Sequence, residues 1–272
     1  MKYLLSTFLL FGFIVNPIQA QYTFPYTDFL NSNYEIGATY GLFGDQVKLR
    51  SEPNTNGKVL DIYPIGTTVK VLEKAAETYQ LYGVNSNWYK VEINGQTGYL
   101  VGAFLAAQTL EYNGTTAYIN YEVAPESAPY EPLSIVIRMP TQTGFQAYKY
   151  KMPNVNYAGA KLADNRGFSE IDQILSLEFF AESCGATGGE MHFLVKDGVV
   201  IKELSTFYVS DAGVFFYEEN AIFPQDPGGR PEVIIYTKTT EEVTNEYMST
   251  FSITGEKSYL EWRDGAIAPV QY

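Results

Sequence analysis

The amino-acid sequence predicts an all-β protein in which a small barrel precedes a larger antiparallel domain. Apolar and polar residues alternate in many short runs, which is the pattern of strands with one buried face. Turn-forming residues separate these runs, and Asn94-Gly95 is a strong two-residue hairpin signal because both positions tolerate a positive φ. No run of ten residues carries a clear helical stripe, and the best short candidate is AGAKLADNRG, residues 158–167.

Residues 1–20 have the pattern of a secretory signal peptide. Lys2 precedes the apolar run YLLSTFLLFGFIV, and the segment ends on the small residue Ala20. The run is shorter than the roughly 20 residues that a membrane helix needs. The only cysteine, Cys184, lies far from the cleavage region and cannot accept a lipid there. We therefore expect an exported chain that begins near Gln21, is periplasmic or secreted, and is not a lipoprotein.

Charge divides the chain into two regions. Without the signal peptide, 17 basic side chains stand against 31 acidic ones, which argues against nucleic acid and anionic lipid as partners. Residues 44–107 contain six of each sign, whereas residues 108–272 contain 11 basic and 23 acidic side chains. We interpret residues 44–107 and 108–272 as two domains, and residues 21–43 as an N-terminal arm. One cysteine excludes an intramolecular disulfide, so packing must stabilise both domains.

The region 44–107 contains five predicted strands in quick succession. Val47 and Leu49 alternate with polar residues in the first strand, and Pro64 and Gly66 end the second. So many short strands in about sixty residues indicate a small, closed or nearly closed barrel. The five runs are QVKLR, KVLDIY, TTVKVLEKA, NWYKVEI and TGYLVGAFL.

The segments LRSEPNTNGKVL, YPIGTTVKVLE and NWYKVEINGQTGYL, with the closing stretch from Val101 to Leu105, resemble the bacterial SH3-like domain. The resemblance covers about a quarter of the chain. Tyr99 stands where the family commonly has a Trp, Trp88 matches its other usual aromatic residue, and Lys48 occupies a position that is often Asn. The resemblance implies an SH3-like barrel of a kind found on exported proteins and linked to peptidoglycan or cell-envelope peptides.

Such a barrel leaves a shallow groove between its long first loop and its final hairpin. Aromatic rings bury area at low entropic cost and keep a polar tip for hydrogen bonding. In the alternative interpretation, Trp88 and Tyr99 are core and hinge residues of the barrel. The aromatic residues predicted to offer flat faces to a peptide or sugar are Tyr63, Tyr82, Trp88 and Tyr99.

Residues 108–272 are also rich in strand patterns, so we predict an acidic antiparallel β domain. Lys196-Asp197-Gly198 is typical of a hairpin turn, and residues 254–257, TGEK, suggest another. The three prolines in residues 223–233 indicate a loop. A sandwich, a sheet folded on itself and an incomplete propeller-like arrangement all fit this list of strands.

Cys184 and His192 form the pair that most suggests an enzyme, because SH3-like domains often accompany papain-like cell-wall peptidases. A catalytic Cys of that type opens a helix, whereas Cys184 follows a strand-like run and enters the turn GATGG. We predict a structural role for both residues and no enzymatic activity. One His and one Cys do not make a zinc site, and residues 164–172 lack the spacing of a helix-loop-helix calcium site. No metal or cofactor is predicted.

The sequence thus predicts an exported, non-catalytic binding protein whose barrel recognises a cell-envelope ligand, either peptidoglycan or a peptide. In a second hypothesis the barrel is a structural spacer, and an envelope protein binds the C-terminal domain. A third hypothesis is a cysteine-dependent cell-wall hydrolase. No nucleic-acid partner and no membrane insertion are expected.

Overall fold

In the described part of the chain, the regular structure consists of β-strands and one 3-10 turn at Gly102–Phe104. The all-β prediction is therefore confirmed. Within the described ranges, no helix is long and apolar enough to span a membrane. The predicted signal peptide and most of the predicted arm lie outside the described residues. The computed structural model describes residues 33–123, 134–151, 156–181, 183–244, 251–263 and 266–270.

Six antiparallel strands form the N-terminal barrel, and the first of them comes from the predicted arm. The strands are β1 (Thr39–Gly41), β2 (Val47–Arg50), β3 (Val59–Tyr63), β4 (Thr68–Leu81), β5 (Val84–Ile93) and β6 (Gln96–Val101). Their order in the sheet is β1-β4-β5-β6-β2-β3. Alternate residues fill the barrel core, which includes Val47, Leu49, Val69, Val71, Tyr89, Val91 and Leu100, together with Tyr34 from the arm.

Two hairpin turns shape the barrel, and only one was predicted. Asn94-Gly95 joins β5 to β6 with φ of 50° and 79°, as the sequence predicts. Tyr82-Gly83 joins β4 to β5 with φ of 53° and 75°. This second turn extends both strands well beyond their predicted ends. It was missed because a tyrosine with positive φ is uncommon, so Tyr-Gly is not a recognisable hairpin signal.

A four-stranded antiparallel sheet follows the barrel, and its two middle strands are buried on both faces. The strands are β7 (Gln108–Tyr112), β8 (Thr115–Glu122), β9 (Ser134–Thr141) and β10 (Gly144–Lys151), in the order β10-β9-β8-β7. One face meets the barrel through Tyr118, Asn120, Val136 and Arg138. Because side chains alternate along a strand, the opposite face presents Ala117, Ile119, Tyr121, Ile135, Ile137 and Met139.

Asn120 and Tyr118 fix the barrel to the four-stranded sheet. The Asn120 Nδ2 group donates to the carbonyl oxygens of Ala103 at 2.9 Å and Leu105 at 3.0 Å, which lie on either side of the last residue of the 3-10 turn. The Tyr118 ring lies so close to Gly41 that a Cβ there would come within 2.4 Å of it. Backbone and ring are thus in direct contact across the interface.

Arg138 makes a second connection to the barrel. Its Nη1 group donates to the carbonyl oxygen of Phe43 at 2.9 Å, and its guanidinium carbon lies 4.1 Å from the centre of the Phe43 ring. The same guanidinium lies 5.8 Å from the ring centre of Tyr82, at the tip of the β4–β5 hairpin. A cation held over aromatic faces and away from water gains from their quadrupoles. Arg138 therefore stabilises the interface, and no carboxylate of the described residues forms a salt bridge with it.

Eight antiparallel strands, paired in sequence order, form the rest of the C-terminal domain. They are β11 (Asn156–Ala163), β12 (Gln173–Phe180), β13 (Thr187–Lys196), β14 (Val199–Asp211), β15 (Phe215–Ile222), β16 (Val233–Val243), β17 (Phe251–Arg263) and β18 (Ala266–Pro269). The predicted turn at Asp197-Gly198 joins β13 to β14, with φ of 52° and 72°. The prolines of residues 223–233 lie in the predicted loop.

Two predictions for this region are wrong. Residues 254–257 form no turn but lie within β17, where Gly255 pairs with Thr239 of β16. The helical candidate at residues 158–167 is instead the end of β11 and the loop after it, and Ala160 pairs with Leu177 of β12. In both places the pairing with a long neighbouring strand outweighs the local preference of the residues.

The eight-stranded sheet contributes to two cores. Leu175, Leu177 and Phe179 of β12 and Met191, Phe193 and Val195 of β13 pack against the four-stranded sheet, which gives a sandwich. The opposite face has its own core of Phe168, Ile171, Ile174, Leu194, Phe223, Ile234 and Ile267. Since Ile174 on β12 and Ile267 on β18 share this core although their strands are far apart in the sheet, the sheet curls on itself.

His192 is buried in the curled core in a polar cluster. Its Nδ1 atom lies 2.9 Å from the Ser176 hydroxyl, and its Nε2 atom lies 3.4 Å from a carboxylate oxygen of Glu190. Burial, and then the positive charge of Arg166, lower the pKa of His192 to about 4. The imidazole is therefore neutral at pH 7. The carboxylate beside Nε2 favours the tautomer with the proton on Nε2, in which the Ser176 hydroxyl donates to Nδ1. His192 thus contributes to packing in its uncharged form.

We predict that Gly83→Ala destabilises the protein much more than Gly95→Ala. Both glycines end two-residue hairpin turns with φ above 70°, so alanine costs roughly 1–2 kcal/mol at each. A Cβ at Gly83 would also lie 2.0 Å from the Val123 carbonyl oxygen, whereas nothing lies within 4 Å of a Cβ at Gly95. In urea unfolding, Gly83→Ala should lower the free energy of unfolding by about 1–3 kcal/mol more than Gly95→Ala does. Equal losses would contradict the close packing of this turn on the second domain.

We also predict that His192 makes the protein acid-sensitive. A histidine with a folded pKa of about 4 and an unfolded value near 6.5 stabilises the fold fully above pH 6.5 and loses this contribution as the pH falls toward 4. Between pH 7 and pH 4.5, the wild type should lose about 2 kcal/mol more unfolding free energy than His192→Gln. Unfolding curves of both proteins at the two pH values measure this difference. Parallel losses would show that His192 does not change protonation on unfolding in this range.

Candidate functional site

A groove with a volume of about 240 Å³ lies on the surface of the barrel. It is bordered by β2, by the long loop between β2 and β3, by the β4–β5 hairpin, by the end of β6 and by the 3-10 turn. The lining residues are Gln46, Lys48, Arg50, Thr55, Tyr79, Trp88, Val101 and Phe104.

The β2 strand supplies the polar side of the groove. Val47 and Leu49 point into the barrel core, so the intervening Lys48 and the following Arg50 lie on the outer face. The Arg50 Nη1 group donates to the carbonyl oxygen of Gly57 at 2.8 Å, which holds the long first loop against β2. Lys48 is exposed. Two cationic side chains therefore stand next to each other along one wall.

Aromatic residues supply the apolar side of the groove. Trp88 is only 4% exposed and packs on Val101 and Ala103 beneath the surface. Tyr79 is 42% exposed, and its ring meets Trp88 edge to face with the centres 6.4 Å apart. Phe104 in the 3-10 turn is partly buried against the same cluster. Trp88 thus forms a floor, and Tyr79 offers the accessible aromatic face.

The groove combines a positive wall with an aromatic wall. None of its lining residues is acidic. Within the described part of the chain, neither Lys48 nor Arg50 forms a salt bridge with a carboxylate, so both charges remain available to a ligand. Such a surface can bind a molecule that presents a flat or apolar group next to hydrogen-bond acceptors.

The structure places the four predicted ligand-binding residues in two locations. Trp88 lines the groove, and Tyr82 and Tyr99 pack around it as partly buried members of the same cluster. Tyr63 is buried in the barrel core, where its hydroxyl donates to Gln96 Oε1 at 3.1 Å. Of the four, only Trp88 borders the groove. A ligand-binding role stays a prediction for all four residues.

Sequence reasoning missed Tyr79, Lys48 and Arg50 as groove residues. Tyr79 lies in a segment that was not recognised as a strand, because the Tyr82-Gly83 turn was not recognised either. The signal for Lys48 and Arg50 was available, since both alternate with the core residues of β2 and precede the long first loop. Alternation identifies the outer face but does not show which outer face borders a groove.

Cys184 and His192 have different environments. Cys184 is exposed in the loop that joins β12 to β13, and His192 is buried on β13 beside Ser176. In the described residues, no hydrogen bond joins the two side chains, and Ser176 already occupies the Nδ1 side of the His192 ring. Their predicted structural roles stay predictions.

Comparisons with known proteins identify the barrel and leave the rest of the chain unassigned. Searches of curated proteins and of solved structures returned no match to the chain. A family model described as bacterial SH3 domain matches residues 45–106. This segment contains all the residues that line the groove. Residues 45–106 therefore form a bacterial SH3 domain, and an antiparallel β domain follows this SH3 barrel.

Proposed function

We propose that this is an exported, non-catalytic binding protein, and that its SH3 domain binds the peptide part of peptidoglycan in the groove. The SH3 domain indicates a binding role, commonly toward cell-wall material. The observation that carries the proposal is the exposed Tyr79 ring over the Trp88 floor, with Lys48 and Arg50 on the facing wall. Aromatic rings next to charged donors are what a peptide with polar termini requires.

The size of the groove supports a short segment of a polymer as the ligand. Enclosed sites for small molecules typically measure about 300–1,000 Å³, and this open groove measures about 240 Å³. It holds a few residues of a peptide rather than a whole folded partner. Repeated display of such a peptide on a cell wall would let a weak site hold the protein in place, because many copies act together.

The N-terminal sequence supports export. Lys2, the apolar run that follows it and the small residue Ala20 before Gln21 have the order of a signal peptide. Export would bring the SH3 domain into the compartment that contains peptidoglycan. The acidic balance of the chain supports a ligand other than nucleic acid.

We predict that Tyr79→Ala weakens binding to insoluble peptidoglycan about tenfold, because an exposed aromatic anchor typically contributes more than 1 kcal/mol. The measurement is a pull-down of the protein without residues 1–20, quantified over a range of peptidoglycan concentrations. Tyr79 is preferred to Trp88 because Trp88 is buried, and its truncation would disturb the barrel.

Tyr208→Ala is the matched control for Tyr79→Ala. Tyr208 is 37% exposed on β14 of the C-terminal domain, and Tyr79 is 42% exposed. The control should bind as the wild type does, and circular dichroism should show that both variants are folded. Absence of wild-type binding, or equal binding by Tyr79→Ala, would count against the proposed function.

A further inference from the structure

We infer that the groove selects peptides with a free carboxylate, which Lys48 and Arg50 bind while Tyr79 contacts the neighbouring apolar group. The inference rests on the proposed function for the place of binding and adds the chemical class of the ligand. One of the two cationic residues, Lys48, occupies a position that is often Asn in the SH3-like family that the chain resembles.

Geometry places the two cations together. Lys48 and Arg50 are two positions apart on β2, so their side chains leave the same face of the strand, about 7 Å apart along it. The core residues Val47 and Leu49 anchor the strand at 2% and 0% exposure. The two charges are therefore held on a rigid element, and a carboxylate between them can accept from both.

The two side chains are suited to different parts of this task. Arg50 uses one nitrogen on the Gly57 carbonyl oxygen, which orients its guanidinium and leaves its other N–H groups for a ligand. Lys48 is exposed and makes no ion pair with a described carboxylate, so it loses no partner when a ligand binds. Hydrogen bonds between charged groups are stronger than neutral ones. Lys48 is the better residue to test, because Arg50 also holds the loop.

Charge complementarity favours an acidic ligand over a basic one. The SH3 region is formally neutral, with six basic and six acidic side chains in residues 44–107. Two of the six basic side chains line the groove and none of the acidic ones does. A peptide amine in this position would meet two like charges. A peptide carboxylate would be attracted, and the peptides of peptidoglycan end in carboxylates.

Titration calorimetry with a synthetic peptidoglycan stem peptide and its amidated form tests the inference. The acid form should bind the wild type about tenfold more tightly than the amide, as expected for one charged hydrogen bond. Lys48→Gln should lose most of this preference, and Lys48→Arg should keep it. The preference should also shrink between 50 mM and 500 mM salt, because salt screens exposed charges.

Lys70→Gln is the matched control, because Lys70 is also exposed on the barrel, on β4, and does not line the groove. It should keep the preference for the acid. Equal affinity for acid and amide, while the protein still binds whole peptidoglycan, would overturn the carboxylate inference and leave the proposed function intact. Failure to bind either peptide or whole peptidoglycan would overturn both. A preference that survives Lys48→Gln would also overturn the assignment of Lys48.

Discussion

Burial of the four-stranded sheet on both faces is the constraint on which the rest of the structure depends. Along β8, Ile119 and Tyr121 pack toward the eight-stranded sheet, whereas Tyr118 and Asn120 point to the SH3 barrel. A shift of one residue would exchange the two sets, placing Asn120 in an apolar core and Ile119 against backbone carbonyl groups. The register of this strand therefore determines how both neighbours dock, in a protein with no disulfide to hold them together.

The same sheet supports the aromatic wall of the groove. The Asn120 side chain donates to the carbonyl groups on either side of Phe104, which lines the groove. Val123 donates its backbone N–H to the carbonyl oxygen of Tyr82 at 3.0 Å, at the tip of the hairpin that presents Tyr79. The aromatic wall is thus attached to the second domain, and the shape of the groove is a property of both domains together.

Sequence reasoning succeeded where local signals and the final fold agree, and failed where distant contacts decide. The alternation of Val47 and Leu49 and the Asn94-Gly95 turn require only neighbouring residues, so the barrel and its family could be recognised. The Tyr82-Gly83 turn is different, because Tyr82 holds a positive φ while its ring packs against Phe43, 39 positions away in the chain. Around Gly255 the error is the reverse, because a sequence that predicts a turn lies inside a long paired strand. The lining of the groove was predicted only in part for the same reason, because the missed Tyr82-Gly83 turn brings Tyr79 next to Trp88.

The separation of charge between the domains supports the selectivity that we propose for the groove. Residues 108–272 contain 11 basic and 23 acidic side chains, so an anionic cell wall would repel this domain. At physiological salt such repulsion fades over about 8 Å. The acidic domain would therefore resist non-specific adsorption to the cell wall, whereas the formally neutral barrel would not be repelled from it. In the proposed binding mode, attraction limited to two cations beside an exposed aromatic ring would make binding depend on the geometry of the ligand rather than on its total charge.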